Sequence, residues 1–401
     1  MYMTNKFSIY IDGNGYGFGN IGDDAILQGI IKILKTLPSN PKITIAVKHG
    51  VKLPFLDPDI HVAESFNFEE AKRSIANSDC LLVGGGTMVG DELGLQFPLA
   101  YNIERILYSK KCSKRIVLFG IGANKLTTRN GKLLAKMMIN HSGLITLRDL
   151  ESLKVCKRLS TNQENIFQTA DPAFLLEPKE TGRSRGIKDI IRSKGKTIGI
   201  NVVNEVWANK KEYKMAIATT CNTLAVEGYY PIFFSNEIRS GPFYDHEANK
   251  ETASLLSCDY TILEPTYYSP EEMIDIISAF DMVLSMRMHG LIFASIARVP
   301  FATISRIDKV DNFMNQFGLK SSGTIDTTTS NRILEDTRVL IIERDNIIAN
   351  LEKIVRQKNK DCWKNQQYFT SYIEGRQRQE NISGRVRLFV DFIRYHLLTR
   401  I

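Results

Sequence analysis

The 401-residue chain carries 52 Lys and Arg against 44 Asp and Glu, a net charge of +8, with 43% hydrophobic and 24% charged residues. That length suits two domains rather than one, and the composition is globular, with apolar material for two cores. The sequence excludes a membrane span, because no run reaches the roughly eighteen consecutive apolar residues required. The six cysteines form no CxxC pair and none lies near a histidine, which argues against zinc and a disulfide framework. The basic excess suits an anionic ligand or surface. Nothing resembles a zinc finger, an aromatic RNA-binding strand or a long basic arm, so nucleic acid is not an expected partner.

The N-terminal MYMTNKFSIYIDG enters a strand directly, without the apolar segment of a signal peptide, which predicts a cytoplasmic protein. Strand-like runs at 7–12, 43–47, 80–84, 115–122 and 143–148 alternate with helical patterns that include 23–37 and 100–112. A second set of strands at 197–203, 229–235, 259–264, 282–286 and 301–305 alternates with helices near 212–227, 244–256, 270–280 and 289–297. This alternation predicts parallel sheets flanked by helices, an α/β fold. The polar segment 177–196, with seven Lys or Arg, reads as a linker plus a short helix. Domains are therefore placed at 1–180 and 195–355, with a C-terminal helical extension at 356–401. Two such domains facing each other would form a cleft at the carboxyl ends of both sheets. In 384–401, Val386, Phe389, Val390, Ile393 and Leu397 share one helical face, with Arg385, Arg387, Asp391, Arg394 and Arg400 largely elsewhere. The segment reads as a helix packed back on the first domain, with peripheral membrane contact as the alternative.

Four segments carry chemistry. In DGNGYGFGNIGDDAIL (12–27) a strand meets glycines and a helix begins near Asp23, where backbone N–H groups suit an anion. Residues 17–22 fit GxGxxG, but the second strand ends Val47-Lys48-His49, without the acidic residue a dinucleotide fold supplies. Asp23 and Asp24 can cap the helix; with Asn20 they also form a polar cluster in which Asp23 could take a proton from a hydroxyl. In LLVGGGTMVGDE (81–92), Gly85 and Gly86 allow close approach, and Thr87 and Asp91 offer polar groups for an acceptor. In LITLRDLESL (144–153), Arg148 at a strand end can hold a carboxylate or phosphate, or pair at the surface with Asp149 or Glu151. In MVLSMRMHG (282–290), Arg287 and His289, read as extended backbone, point to the same side. A permanent cation then sits beside the side chain that titrates near neutrality.

Together, GNIGDDAIL (19–27), VGGGTMVGDE (83–92), TLRDLESL (146–153), TADPAFLL (169–176), IGINVV (198–203) and SMRMHGLIFASIARVPFATI (285–304) resemble the polysaccharide pyruvyltransferase family, through the region of Lys309 and Phe313. The resemblance spans about residues 5 to 320. It implies two Rossmann-like domains in a glycosyltransferase-B-like arrangement, with no metal and no cofactor. It implies phosphoenolpyruvate as donor, a sugar or lipid-linked oligosaccharide as acceptor, and a pyruvate ketal and phosphate as products. On this resemblance Arg287 and His289 hold the donor, and Arg148, Asn20 and Asp23 fall on the family's other motif positions. The chemistry of the residues themselves adds Gly22, Gly85 and Gly86 to the donor site, makes His289 the general acid and Asp23 the base, and turns Thr87, Asp91 and Asp24 toward the acceptor. Where family members often read glycine–glutamine–glycine, this chain has Phe119-Gly120-Ile121-Gly122, so no role is assigned there. Two other readings use the same residues: a nucleotide-sugar glycosyltransferase, and a non-catalytic sugar- or phosphate-binding protein.

Overall fold

A computed structural model describes residues 6–92, 94–204, 211–375 and 382–399. The chain forms two compact units, one comprising residues up to Phe18, Ile26–Leu175 and Lys358 onward, the other Gly19–Ala25 and Leu176–Gln357.

The first unit begins with β1 (Ser8–Tyr16) and α1 (Ile21–Lys35), whose first turn groups with the second unit. It continues through β2 (Lys42–Val47), β3 (His61–Glu64), α2 (Phe68–Ala76), β4 (Cys80–Gly84), β5 (Thr87–Val89) and α3 (Tyr101–Lys111). Then follow β6 (Arg115–Ala123), α4 (Arg129–His141), β7 (Leu144–Leu147), α5 (Leu150–Leu159) and β8 (Ile166–Gln168). The sheet order is β3-β2-β1-β4-β6-β7-β8, with β5 beside β6, and the pairings are parallel. Parallel strands covered on both faces need continuous apolar runs, and β4, Cys-Leu-Leu-Val-Gly, is buried throughout. Tyr10 of β1, Leu118 of β6 and Leu147 of β7 share one core with Ile103, Met138 and Cys156 from the helices.

The second unit contains α6 (Gly182–Arg192), β9 (Lys196–Asn201), α7 (Glu212–Val226), β10 (Tyr229–Phe233), α8 (Asp245–Ala253) and β11 (Thr261–Ile262). It closes with α9 (Pro270–Ile277), β12 (Met282–Ser285), α10 (Met288–Ile296), β13 (Phe301–Ala302), α11 (Asp308–Gln316) and α12 (Ser330–Ile342). Its sheet, β11-β10-β9-β12-β13, is also parallel. In both sheets the order reverses beside the first strand, between β1 and β4 and between β9 and β12. Ligands bind at such switch points, beyond the carboxyl ends of the strands.

The segment 177–196, read as a linker plus a short helix, does carry the short helix α6, but it is built into the second unit through polar contacts. Lys188 bonds Asp275 and Glu180, each at 2.7 Å, Ser184 donates to Asp275 at 2.7 Å, and Thr181 donates to Glu272 at 2.7 Å. Hydropathy does not register how buried polar pairs tie this helix to the unit. Residues from Lys358 onward, read as a C-terminal helical extension with its closing helix packed on the first domain, group with the first unit through α13 (Arg344–Glu374) and α14 (Ile382–Thr399). The packed face of α14 also differs. Leu388, Phe392, Tyr395 and Leu398 meet the first core, whereas Val390 and Leu397 are exposed. Asp391 turns inward because it bonds buried His141 at 2.8 Å, which rotates the face. The side chains of Arg385, Val386, Arg387, Phe389, Ile393 and Arg400 lie outside the described residues.

Candidate functional site

The switch point of the second sheet holds a polar cluster. β9 ends at Asn201 and β12 at Ser285, and these residues are register partners. The Ser285 hydroxyl donates to Asn201 Oδ1 at 3.0 Å and accepts from the Arg287 amide at 3.2 Å. Arg287 is the residue before α10, and its guanidinium grips Asp245 Oδ1 through Nε at 2.8 Å and a terminal nitrogen at 2.7 Å. Asp245, fully buried in the first turn of α8, accepts through Oδ2 from Asn201 Nδ2 at 2.8 Å and from the Asn236 and Glu237 amides at 3.0 Å each. Burial opposes the charge on Arg287, but Asp245 and Glu237 outweigh it and raise its pKa above the ordinary arginine value. The side chain of Arg287 keeps 21% exposure. A second cation stands nearby: Arg239 forms a two-pronged pair with buried Glu237, 2.7 Å on each prong, and remains 41% exposed.

The turn at 19–25 completes this cluster from the far end of the chain. Ile21 donates its amide to the Asn236 carbonyl at 3.0 Å, and Ile238 donates to the Gly19 carbonyl at 2.9 Å. Asn20, not Asp23 or Asp24, caps α1, with Oδ1 accepting from the Gly22 amide at 3.0 Å. Gly22 lies directly on His289: a Cβ there would fall 2.3 Å from Nδ1 and 2.6 Å from Cβ of the histidine. Gly22 therefore serves by close packing, and its amide is already used within the cap. Asp24 is buried and accepts from the Tyr267 hydroxyl at 3.0 Å, which removes it from the acceptor role expected of it. Burial and this neighbouring carboxylate push the Tyr267 pKa up. Asp23 is half-buried and electrostatically coupled to Arg239. Asn20, Gly22, Asp23, Asp24, Arg287 and His289 thus belong to one unit.

The extended reading of Arg287-Met288-His289 is corrected. Met288 already begins α10, so His289 sits in a helical first turn, where alternate residues do not share a side. What brings its ring to the turn at 19–25 is the tight first turn of α10. Gly290 permits that turn, since a Cβ there would fall 2.2 Å from Ser285 Oγ and 2.7 Å from Asn236 Nδ2.

Arg148, Thr87, Gly85, Gly86 and Asp91 belong to the first unit. Arg148 is 6% exposed, so it is not a surface ion pair. Its guanidinium lies against Gly122, where a Cβ would fall 2.7 Å from a terminal nitrogen. It donates to Thr87 Oγ1 at 3.2 Å and to Asp171 Oδ2 at 3.4 Å. Gly85 (φ +50°) makes room for Ile26, whose Cγ2 would be 1.8 Å from an added Cβ, and its amide donates to the Phe119 carbonyl at 2.9 Å. The carbonyl of Gly86 accepts from the Gly122 amide at 2.7 Å. The close approach at Gly85 is made by Ile26. Asp91 is likewise structural: it accepts the amides and hydroxyls of Thr127 and Thr128 at 2.7–3.1 Å, ahead of α4. Burial works against its charge, but these hydrogen bonds outweigh it and hold the pKa below the ordinary carboxylate value.

Sequence reasoning missed Asn201, Asn236, Glu237, Arg239, Asp245 and Tyr267. The signal available was IGINVV, whose final polar residue before the loop is Asn201. Among the described residues, no group of three or more His, Cys, Asp or Glu is placed to hold a metal ion. Nor is any described helix long and apolar enough to cross a membrane.

Comparisons with known structures support this architecture. A protein of Listeria monocytogenes described as a UDP-N-acetylglucosamine 2-epimerase is 13% identical, with TM-score 0.65 over 94% of this chain and 99% of that one. MnaA of S. aureus, in a co-structure with UDP, is 11% identical, with TM-score 0.62 over 94% and 99%. Alr3699/HepE of Anabaena, in complex with UDP and glucose, is 10% identical, with TM-score 0.60 over 92% and 100%. At these identities the likeness concerns the fold: α/β, Rossmann-like units of the glycosyltransferase-B type. No curated protein sequence matches the chain. The family model described as polysaccharide pyruvyl transferase matches residues 20–308, running from the α1 cap past the Arg287–His289 cluster, and the chain belongs to that family.

Proposed function

We propose that the protein transfers the pyruvyl group of phosphoenolpyruvate onto two hydroxyls of one sugar, in a cell-surface polysaccharide or its precursor. The observation that supports this reading is the cluster of Arg287, Arg239, His289 and Asp23 around one switch point. Phosphoenolpyruvate carries a carboxylate and a phosphate, and two partly exposed guanidinium groups match that pair of anions. Asp245 and Glu237 fix the two forks and leave part of each open. In the reaction one proton goes to the methylene carbon, making it a methyl group. The two sugar oxygens bond to C2, the C2–O–phosphate bond breaks, and the second hydroxyl proton leaves with inorganic phosphate. His289 delivers the proton and Asp23 accepts one from a hydroxyl; such help is typically worth roughly 10²–10⁴ in rate. No step requires a metal or cofactor.

A nucleotide-sugar glycosyltransferase is the second reading, favoured by the UDP held in the MnaA and HepE structures. Incubation with phosphoenolpyruvate and a panel of glycans, followed by ³¹P and ¹H NMR, separates the two. Inorganic phosphate together with a new ketal methyl singlet is the expected result. Sugar transfer from a UDP-sugar, with phosphoenolpyruvate untouched, overturns it.

A further inference from the structure

The outer surface of α4 and α14 has a composition unlike that of an ordinary solvated face. Arg129, Leu133 and Lys136 of α4 and Arg394, Leu397 and Leu398 of α14 line one shallow groove of about 390 Å³. Leu133 is 40% exposed and Leu397 66%, with Val390 beside it on α14 also exposed. Apart from Asp391, which lines the groove and pairs with His141 at 2.8 Å and Arg394 at 3.6 Å, the described charged residues of α4 and α14 around them are basic. Helix α4 contains no acidic residue, and the sole acid of α14, Asp391, is buried against His141. Lys132 adds a further exposed cation on α4. Exposed leucines set among arginines and lysines, with the acid withdrawn inward, are the composition of a surface that lies on a lipid headgroup layer.

We propose that the α4–α14 face docks the protein on an anionic bilayer, with Leu133, Val390 and Leu397 entering the headgroup region and Arg129, Lys132, Lys136 and Arg394 meeting the phosphates. Charge complementarity selects the bilayer. A nucleic acid would leave the leucines in water, and a second copy of this face would oppose like charges. The His141–Asp391 bond fixes α14 so that both helices present these residues together. The inference does not depend on the donor chemistry, since vesicle binding is read without any substrate.

The test is co-sedimentation of the full chain with vesicles of phosphatidylglycerol and phosphatidylcholine, against phosphatidylcholine alone. Each basic residue near an anionic surface raises partitioning about five-fold, so binding should be strong on the anionic vesicles, weak on the neutral ones, and reduced by salt. The pair Leu133→Glu and Leu397→Glu should lower partitioning by at least roughly ten-fold. Ile342→Glu, at an exposed apolar position of α12 (82% exposed), should leave it unchanged. Circular dichroism establishes that each variant is folded. The proposal is overturned by equal sedimentation with both vesicle types, by variants that bind like the parent, or by a dimer in solution that the paired substitution abolishes while vesicle binding is absent.

Discussion

Adding one methyl group at Gly22 probes the packing between the turn at 19–25 and His289. The backbone itself raises no objection, since Gly22 is helical and lies in the first turn of α1. The new Cβ would stand 2.3, 2.4 and 2.6 Å from Nδ1, Cγ and Cβ of His289, so the imidazole, its helix or the turn must move. Overpacking of this kind costs about 1–3 kcal/mol. The better helix propensity of alanine returns up to about 1 kcal/mol. The balance is a loss of about 1–2 kcal/mol, a fall of roughly 2–8 °C in the melting of a unit this size. Turnover should suffer more, because displacing a reacting group by about 1 Å can cost on the order of 10²-fold. Differential scanning fluorimetry reads the first effect and phosphate release the second. The decisive comparison uses His289→Gly, which removes both ring and Cβ. In that background Gly22→Ala should keep only its helix-propensity gain of up to about 1 kcal/mol, so the coupling energy is the overpacking cost of about 1–3 kcal/mol. An equal loss in both backgrounds, or a Gly22→Ala protein with the parent's melting temperature and turnover, refutes the contact.

Other expectations follow from the same clusters. Asp245→Asn presents an amide N–H₂ either to Arg287 or to three other donors; with Arg287 partly exposed, the loss should be about 2–4 kcal/mol, and weaker donor binding by calorimetry should accompany the thermal shift. His289→Ala should lower kcat by roughly 10²–10⁴ with the fold intact, whereas Arg287→Lys should mainly raise KM for the donor, since a point charge cannot replace a fork; parent-like kinetics in both would remove them from the site. The carboxyl of Asp91 titrates below its unfolded value of about 3.9, so its contribution is fully present above that pH and fades as pH falls through the lower folded value; the stability gap between parent and Asp91→Asn should therefore shrink in acid unfolding below about pH 4. Cys80, Cys156, Cys221 and Cys362 are buried, with burial raising each thiol pKa and that of Cys156 reaching about 12; in the native protein Cys112 and Cys258 should react with a thiol reagent well before the other four, as mass spectrometry would show.

Much of this arrangement was written in local sequence, and the remainder in contacts no local pattern displays. The alternation of apolar runs and helical periods located both parallel sheets, because strands covered on two faces must be apolar throughout. The glycine-bearing segments marked real close approaches, but to the wrong neighbour. Gly85 yields to Ile26, Gly122 to Arg148 and Gly290 to Ser285, so glycine signalled crowding without naming its cause. The two-residue period assigned to Arg287 and His289 failed because a helix begins one residue earlier than the strand pattern suggested. Asp245 was invisible, since its meaning arises only when the fold brings Asn201, Arg287 and the amides of Asn236 and Glu237 to it. Asp91 looked like a ligand in sequence, yet four donors, the amides and hydroxyls of Thr127 and Thr128, occupy it. Asp391 broke the amphipathic reading of α14, for a carboxylate that finds a histidine partner counts as interior.

The chain's path between the two units has a bearing on how the protein can be made. It passes from one unit to the other four times, because seven residues near the start belong with the second unit and the final segment returns to the first. During synthesis, Gly19–Ala25 leaves the ribosome some 260 residues before the histidine it must cradle. No single cut yields two self-sufficient pieces: a break after Leu175 strands the seat of His289 on the wrong fragment, and a clone starting at Leu176 inherits a second unit with its floor missing.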